Sequence, residues 1–240
     1  MIKKILLHGI TVGSLVIFIV LGLASASTTP SVNNNSSSSK SFFDFFEPFK
    51  SPEDRGFSVI RLKNNEEPQI RFTSDLENEN FEMLSNYYVC LGTTGFNGIS
   101  KDDLRDNIIS QCKRIGATMA LYSVDYTHTT SSGYRRYDYL IYYFVKFTDD
   151  VGFGINLTDL TVRERQNHKR NTGAVVSIVY KRTPAFYANI FRGDIIVKIN
   201  DIEILDVDDG ILALHYLPKG DTVKIEILRD GKREIIQAKY

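Results

Sequence analysis

An excess of charge of either sign is missing from this 240-residue chain, in which 29 Lys and Arg face 29 Asp and Glu. Holding nucleic acid by counterion release needs clustered surplus Lys and Arg, so the balance argues against that class. Cysteine is scarce. Cys90 and Cys112 alone exclude a disulfide-stapled mini-domain and a four-thiolate zinc site. The four histidines, among them His128, His168 and His215, stand at no ligand spacing, and no His-Glu-x-x-His occurs. Signatures of nucleophilic catalysis are also lacking. No Gly-x-Ser-x-Gly is present, and neither cysteine has a neighbouring histidine to lower its thiol pKa. Gly92-Thr93-Thr94-Gly95 and Ser131-Ser132-Gly133 read as turns. Asp149-Asp150 and Asp208-Asp209 are adjacent carboxylates that cannot converge on one bond. The expectation is therefore no catalytic residue, no metal and no cofactor.

Apolar residues are plentiful. At 42% hydrophobic and 12% aromatic, the chain has enough to bury a core. Lys3 and Lys4 precede an apolar run from Ile5 to Leu23, followed by Ala24-Ser25-Ala26-Ser27. A charged start, an apolar centre and small residues at an A-x-A site describe a secretory signal peptide over 1–26, cleaved after Ala26. The alternative is an uncleaved helix in which residues 5–23 anchor the protein in the inner membrane. Either reading puts the remainder outside the cytoplasm, periplasmic or secreted. No cysteine follows the run, so lipidation is not supported. In an oxidising compartment Cys90 and Cys112 could bridge; the simpler reading is two small buried apolar side chains.

Composition changes along the chain. Ser27 to Lys40 is rich in Ser, Thr and Asn with little to bury, and reads as a flexible tether. Then come five phenylalanines within Phe42–Phe49, a sticky segment that either docks on the domain behind it or meets a partner. The rest of 27–80 reads as irregular, with short strand-like pieces at Phe57–Leu62 and Ile70–Phe72. A small α+β domain is expected over 81–147. It has a strand at Tyr87–Gly92 and a helix capped by Ser100, with apolar Leu104, Ile108, Ile109, Cys112 and Ile115 at 3–4 residue spacing, stopped by Gly116. Strands at Ala117–Tyr126 and Tyr137–Phe147 complete it. Tyr134, Tyr137, Tyr139, Tyr142 and Tyr143 read as sheet packing, and the mixed-charge run Arg163–Arg170 as an exposed helix or loop.

The last part, 151–240, alternates strand-like runs with turn signals. Val207 to Leu217 reads as a short helix, and Arg229-Asp230-Gly231-Lys232 as an Asp-Gly hairpin turn between two alternating strands. Five strings stand here in a definite order: Gly152-Phe153-Gly154-Ile155, Thr183-Pro184-Ala185-Phe186, Arg192-Gly193-Asp194-Ile195-Ile196, Ile199-Asn200-Asp201 and Arg229-Asp230-Gly231-Lys232. Their order and spacing resemble a PDZ domain of the type attached to bacterial periplasmic proteases. The departures are Asp201 for the usual glycine and Thr183 for serine. The resemblance implies a partly open β-barrel with one or two short helices and a groove in which an extended peptide adds a strand to a sheet edge. Gly152, Phe153 and Gly154 would then cradle a terminal carboxylate through main-chain amides, with Phe153 and Ile155 walling an apolar pocket. Ile211, Leu212 and His215 are the candidates for the opposite wall. The plainer alternative makes Ile155, Ile211 and Leu212 ordinary core and His215 a solvated helix residue.

The function implied is an exported, non-catalytic adaptor that binds peptide or protein C-termini in the cell envelope, with no nucleic-acid partner. Two alternatives stay open. One is a hydrolase with a site near Gly95–Gly98 and His128; the other is a structural envelope protein whose groove is filled by its own tail or by Phe42–Phe49.

Overall fold

The computed structural model describes residues 41–99 and 103–240. The leader or anchor at 1–26, the tether through Lys40 and the expected Ser100 cap lie outside the described residues. The rest divides into two compact units, one ending at Asp149 and one spanning Asp150–Tyr240.

The first unit is a six-stranded sheet of β1 (Phe46–Pro48), β2 (Val59–Ile60), β3 (Gln69–Phe72), β4 (Tyr88–Gly98), β5 (Met119–Thr129) and β6 (Arg135–Phe147). Its order is β1-β4-β6-β5-β3, and β2 pairs with β6. Helices α1 (Leu76–Ser85) and α2 (Leu104–Ile115) connect the parallel β3 and β5 through β4. The expected strand–helix–strand–strand order is present as β4, α2, β5 and β6. Helix α2 starts from Asp103 and ends at Gly116, which takes the left-handed conformation at φ 74°. Ile108 and Cys112, four apart, are fully buried on its inner face.

The stretch expected to be irregular contributes more than the sequence suggested. Residues 46–72 add three strands to the sheet, and a boundary at 81 falls inside α1. The phenylalanine-rich segment belongs to this unit as well. Phe42 is 5% exposed and packs edge-on against Phe96, while Phe46 meets the Tyr143 ring in the same way. Tyr139, Tyr142 and Tyr143 are buried in the sheet, whereas Tyr134 is exposed. Cys90 and Cys112 are both buried free thiols.

The second unit is a sheet of β7 (Ile155–Asp159), β8 (Ala174–Val179), β9 (Ile195–Ile199), β10 (Ile202–Glu203), β11 (Thr222–Arg229) and β12 (Lys232–Lys239). Its order is β12-β11-β9-β8-β7, with β10 paired to β9. Three short helices accompany it rather than one or two: α3 (Val162–His168), α4 (Pro184–Tyr187) and α5 (Val207–His215). Helix α3 buries none of its residues and is held by a reciprocal cap between Thr161 and Glu164. The Asp-Gly turn pairs Arg229 with Lys232, with Asp230 and Gly231 at φ 50° and 75°. The core combines Leu157, Val176, Ile196, Ile199, Ile225 and Ile227 from the sheet with Ala213 and Leu217 from the α5 side.

Candidate functional site

Strand β7 ends the sheet order, so only one of its edges is paired, with β8. The Tyr180 N–H donates to the Gly154 carbonyl at 2.9 Å, which fixes that carbonyl toward β8. Alternation along an antiparallel ladder then turns the polar groups of Ile155 outward. Helix α5 faces this outer edge across a cleft of about 330 Å³. The apolar lining comes from Phe153, Ile155 and Leu157 on one side and Ile211 and Leu214 on the other, with His215 and Tyr240 at the rim.

The loop that closes one end of the cleft is shaped by its glycines. Gly152 and Gly154 have φ of 60° and 97°, in the left-handed half of the map where a side chain is strained. Gly154 is also pressed against a neighbour: a Cβ there would lie 2.1 Å from Thr183 Oγ1. Thr183 is itself locked, its hydroxyl donating to the Tyr180 carbonyl at 2.7 Å. The Ala185 N–H donates to the Phe153 carbonyl at 3.1 Å. The Gly152–Ile155 and Thr183–Phe186 strings are thus two halves of one support. The departure at Asp201 is accommodated because the positive φ of that turn, 50°, falls on Asn200.

Helix α5 starts at Asp206, whose carboxylate accepts the Asp209 N–H at 3.0 Å. Its phase is set by Gly210, which is buried. A Cβ there would come within 2.6 Å of Leu157 Cδ1 and 3.5 Å of the Ala174 Cβ. With Gly210 inward, Ile211, Leu214 and His215 turn toward the cleft, while Leu212 is 43% exposed and off its lining. Leu214 therefore stands on this wall where the sequence pattern points to Leu212. Of the other candidates, Gly152, Phe153, Gly154, Ile155, Ile211 and His215 all border the cleft. Phe153 and Ile155 do so while being 3% and 8% exposed, so they serve as core and as floor at once.

Two charged side chains stand at the loop. The Asp150 carboxylate accepts the Gly152 N–H at 2.9 Å and the Lys219 ammonium at 3.1 Å. The Gly152 amide first, and Lys219 second, hold the Asp150 carboxyl below the usual carboxylate range. The Phe153 ring meets the Tyr240 ring edge-on at 5.8 Å.

Gly92-Thr93-Thr94-Gly95 lies inside β4, not in a turn, and Ser131–Gly133 turns between β5 and β6. His128 is exposed on β5 opposite Arg136. Among the described residues no three His, Cys, Asp or Glu side chains are grouped to hold a metal. None of the described helices is long and apolar enough to cross a membrane.

An edge strand facing a helix across an apolar cleft, closed by a glycine loop, defines the peptide-groove architecture of PDZ domains. Residues 151–239 are a PDZ domain, matching that family over this range. A probable periplasmic serine endoprotease, DegP-like, from Rickettsia prowazekii (strain Madrid E) is 32% identical over 81 residues, which are 33% of this chain and 16% of that protein. The chain thus spans about a sixth of the length of this curated relative. Among solved structures, the HtrA3 PDZ domain bound to a phage-derived ligand, FGRWV, is 22% identical, covering 36% of this chain and 81% of that one at a TM-score of 0.32. The HtrA-type protease AlgW with a decapeptide is 20% identical, covering 48% and 40% at a TM-score of 0.33.

Proposed function

We propose that the protein is an exported, non-catalytic adaptor whose PDZ domain holds segments of other envelope proteins by strand addition to β7. The observation that carries this reading is the outward edge of β7 set against α5 over an apolar floor. Main-chain hydrogen bonds along the edge would supply sequence-independent affinity. The pocket between Phe153, Ile155, Ile211 and Leu214 would select an apolar side chain. Export is supported by the leader-like order of residues 3–26 and by the periplasmic description of the Rickettsia relative. The peptide-holding part of the reading is supported by the PDZ match over residues 151–239.

The test is a decapeptide array probed with the full chain, followed by titration of the hits by fluorescence anisotropy. Saturable binding is expected, weakened at least about tenfold by Ile211→Glu, which puts a charge against the apolar floor. No binder beside a control PDZ domain that finds its own ligands would overturn the reading. Hydrolase assays on the same preparation, with His128→Ala as control, separate an enzyme from an adaptor. Fractionation and N-terminal sequencing of the mature protein test export.

A further inference from the structure

The closed end of the cleft already contains a carboxylate. Receiving the end of another chain requires several main-chain N–H groups converging on one anion. In this loop the chain uses two of them itself. Gly152 donates to Asp150 Oδ1 at 2.9 Å, and Gly154 donates to the Val151 carbonyl at 3.1 Å. The Phe153 N–H donates to no group among the described residues, and that of Ile155 is turned to the outer edge. The second oxygen of Asp150 pairs with the Lys219 ammonium at 3.1 Å, so this cation is directed to the internal acid. A second carboxylate seated here would stand beside the first. The Asp150 and Lys219 side chains at this end are 73% and 71% exposed, so the loop is bordered there by water rather than by a wall of the protein. A chain lying along β7 is therefore not forced to stop at the loop.

We propose that Asp150 determines the ligand class of the cleft: it occupies the loop as an internal carboxylate, so the groove takes an extended internal segment rather than a free C-terminus. The inference rests on the peptide-binding reading above and sharpens it. Lys219 is a positioning residue in this arrangement, because it neutralises and holds Asp150 and does not itself receive the ligand.

The experiment uses the full chain and decapeptides found on the array, each synthesised twice, as C-terminal acid and as C-terminal amide. Wild type is expected to bind the amide at least as tightly as the acid. Asp150→Ala and Asp150→Asn free the loop, and the acid form is then expected to gain about tenfold over the amide. Lys219→Ala leaves Asp150 unneutralised and should widen the preference for the amide. Both side chains are exposed, so unchanged thermal melts are expected and separate these effects from misfolding. Wild type binding the acid about tenfold better overturns the inference while leaving peptide binding intact. An acid-to-amide ratio that Asp150→Ala does not move does the same, as does a ratio that Lys219→Ala shifts toward the acid. Failure of both forms to bind would instead remove the underlying reading, and the inference with it.

Discussion

Asp194 shows what a short sequence string does physically. It is 2% exposed, yet its carboxylate is fully engaged: Arg229 donates through Nε at 2.8 Å and Nη2 at 2.7 Å, and the Phe191 N–H donates at 2.8 Å. The guanidinium also lies 4.6 Å from the centre of the Phe191 ring. The Arg192–Ile196 string was legible only as a family likeness, and Arg229–Lys232 as a hairpin turn besides; the structure gives a further reason for both, a bidentate pair on a buried carboxylate tying β9 to the end of β11. Breaking such a pair from one side leaves a charge without its partner, at about 3–5 kcal/mol. Asp194→Asn keeps the shape and removes the charge, so a loss of about 2–3 kcal/mol in urea unfolding is expected, Arg229 retaining some access to water. A variant within 0.5 kcal/mol of wild type would show that the pair contributes little. The cysteines behave oppositely. Burial pushes the thiols of both Cys90 and Cys112 up to about 12, so neither forms thiolate near neutral pH. Ellman's reagent at mildly alkaline pH should find no fast-reacting thiol in the native chain and two in denaturing guanidinium. A missing pair of thiols after unfolding would point to a disulfide instead.

Among the elements, α5 shows where a sequence stops being informative. Its apolar residues were visible, but Gly210 in their midst left the phase open. Glycine in a helix interior is ordinarily unfavourable, by about 1 kcal/mol relative to alanine. Here it is the contact point with Leu157, and this decides that Leu214 faces the cleft and Leu212 does not. No periodicity argument distinguishes those two leucines without knowing which strand the helix meets. Helix α1 was missed for a related reason. Half of its ten residues are acidic or amide, and it buries only Asn80, Met83 and Leu84. Strand β1, three residues long, is defined by its pairing with β4 rather than by any pattern of its own, whereas β2 and β3 fall on the strand-like pieces at Phe57–Leu62 and Ile70–Phe72. Strands β5 and β6, the first half of β4 and helix α2 carried enough periodic apolar residues to be read directly, whereas the glycines of Gly92–Gly98 disguised the second half of β4 as turns. The pairing of α5 with β7 predicts a difference in binding. Leu214→Ala should weaken peptide titrations about five- to tenfold through lost apolar burial, while Leu212→Ala should change them less than twofold. Equal losses would mean that the ligand lies over the exposed face of α5, outside the cleft.

For the whole molecule, the transition near residue 150 carries the largest consequence. Patterning marked it as a change from aromatic strand to glycine loop, and the contacts divide there as well, with Asp150 the first residue of the second unit. That unit owns a continuous core drawn from β7, β8, β9 and β11 together with α5. Its last strand closes back on the loop after α5, where Gly220 donates to the Tyr240 carbonyl at 2.6 Å and Tyr240 to that of Asp221 at 2.9 Å. A unit of this size sits in the range that folds unaided when its core is contiguous. Residues 150–240 expressed alone are therefore expected to unfold in urea in one cooperative step, at a midpoint matching one transition of the full chain. Coincident loss of far-ultraviolet ellipticity and tyrosine fluorescence would establish the single step. A fragment that lacks the cooperative transition, or that melts well below every transition of the full chain, would show that the second unit depends on residues before Asp150. Trimming its last residues should matter more than trimming elsewhere. Removal of Tyr240 deletes two main-chain hydrogen bonds and the ring against Phe153, so it should lower the midpoint and weaken peptide binding together. Loss of one without the other would separate the fold's need for that residue from the cleft's.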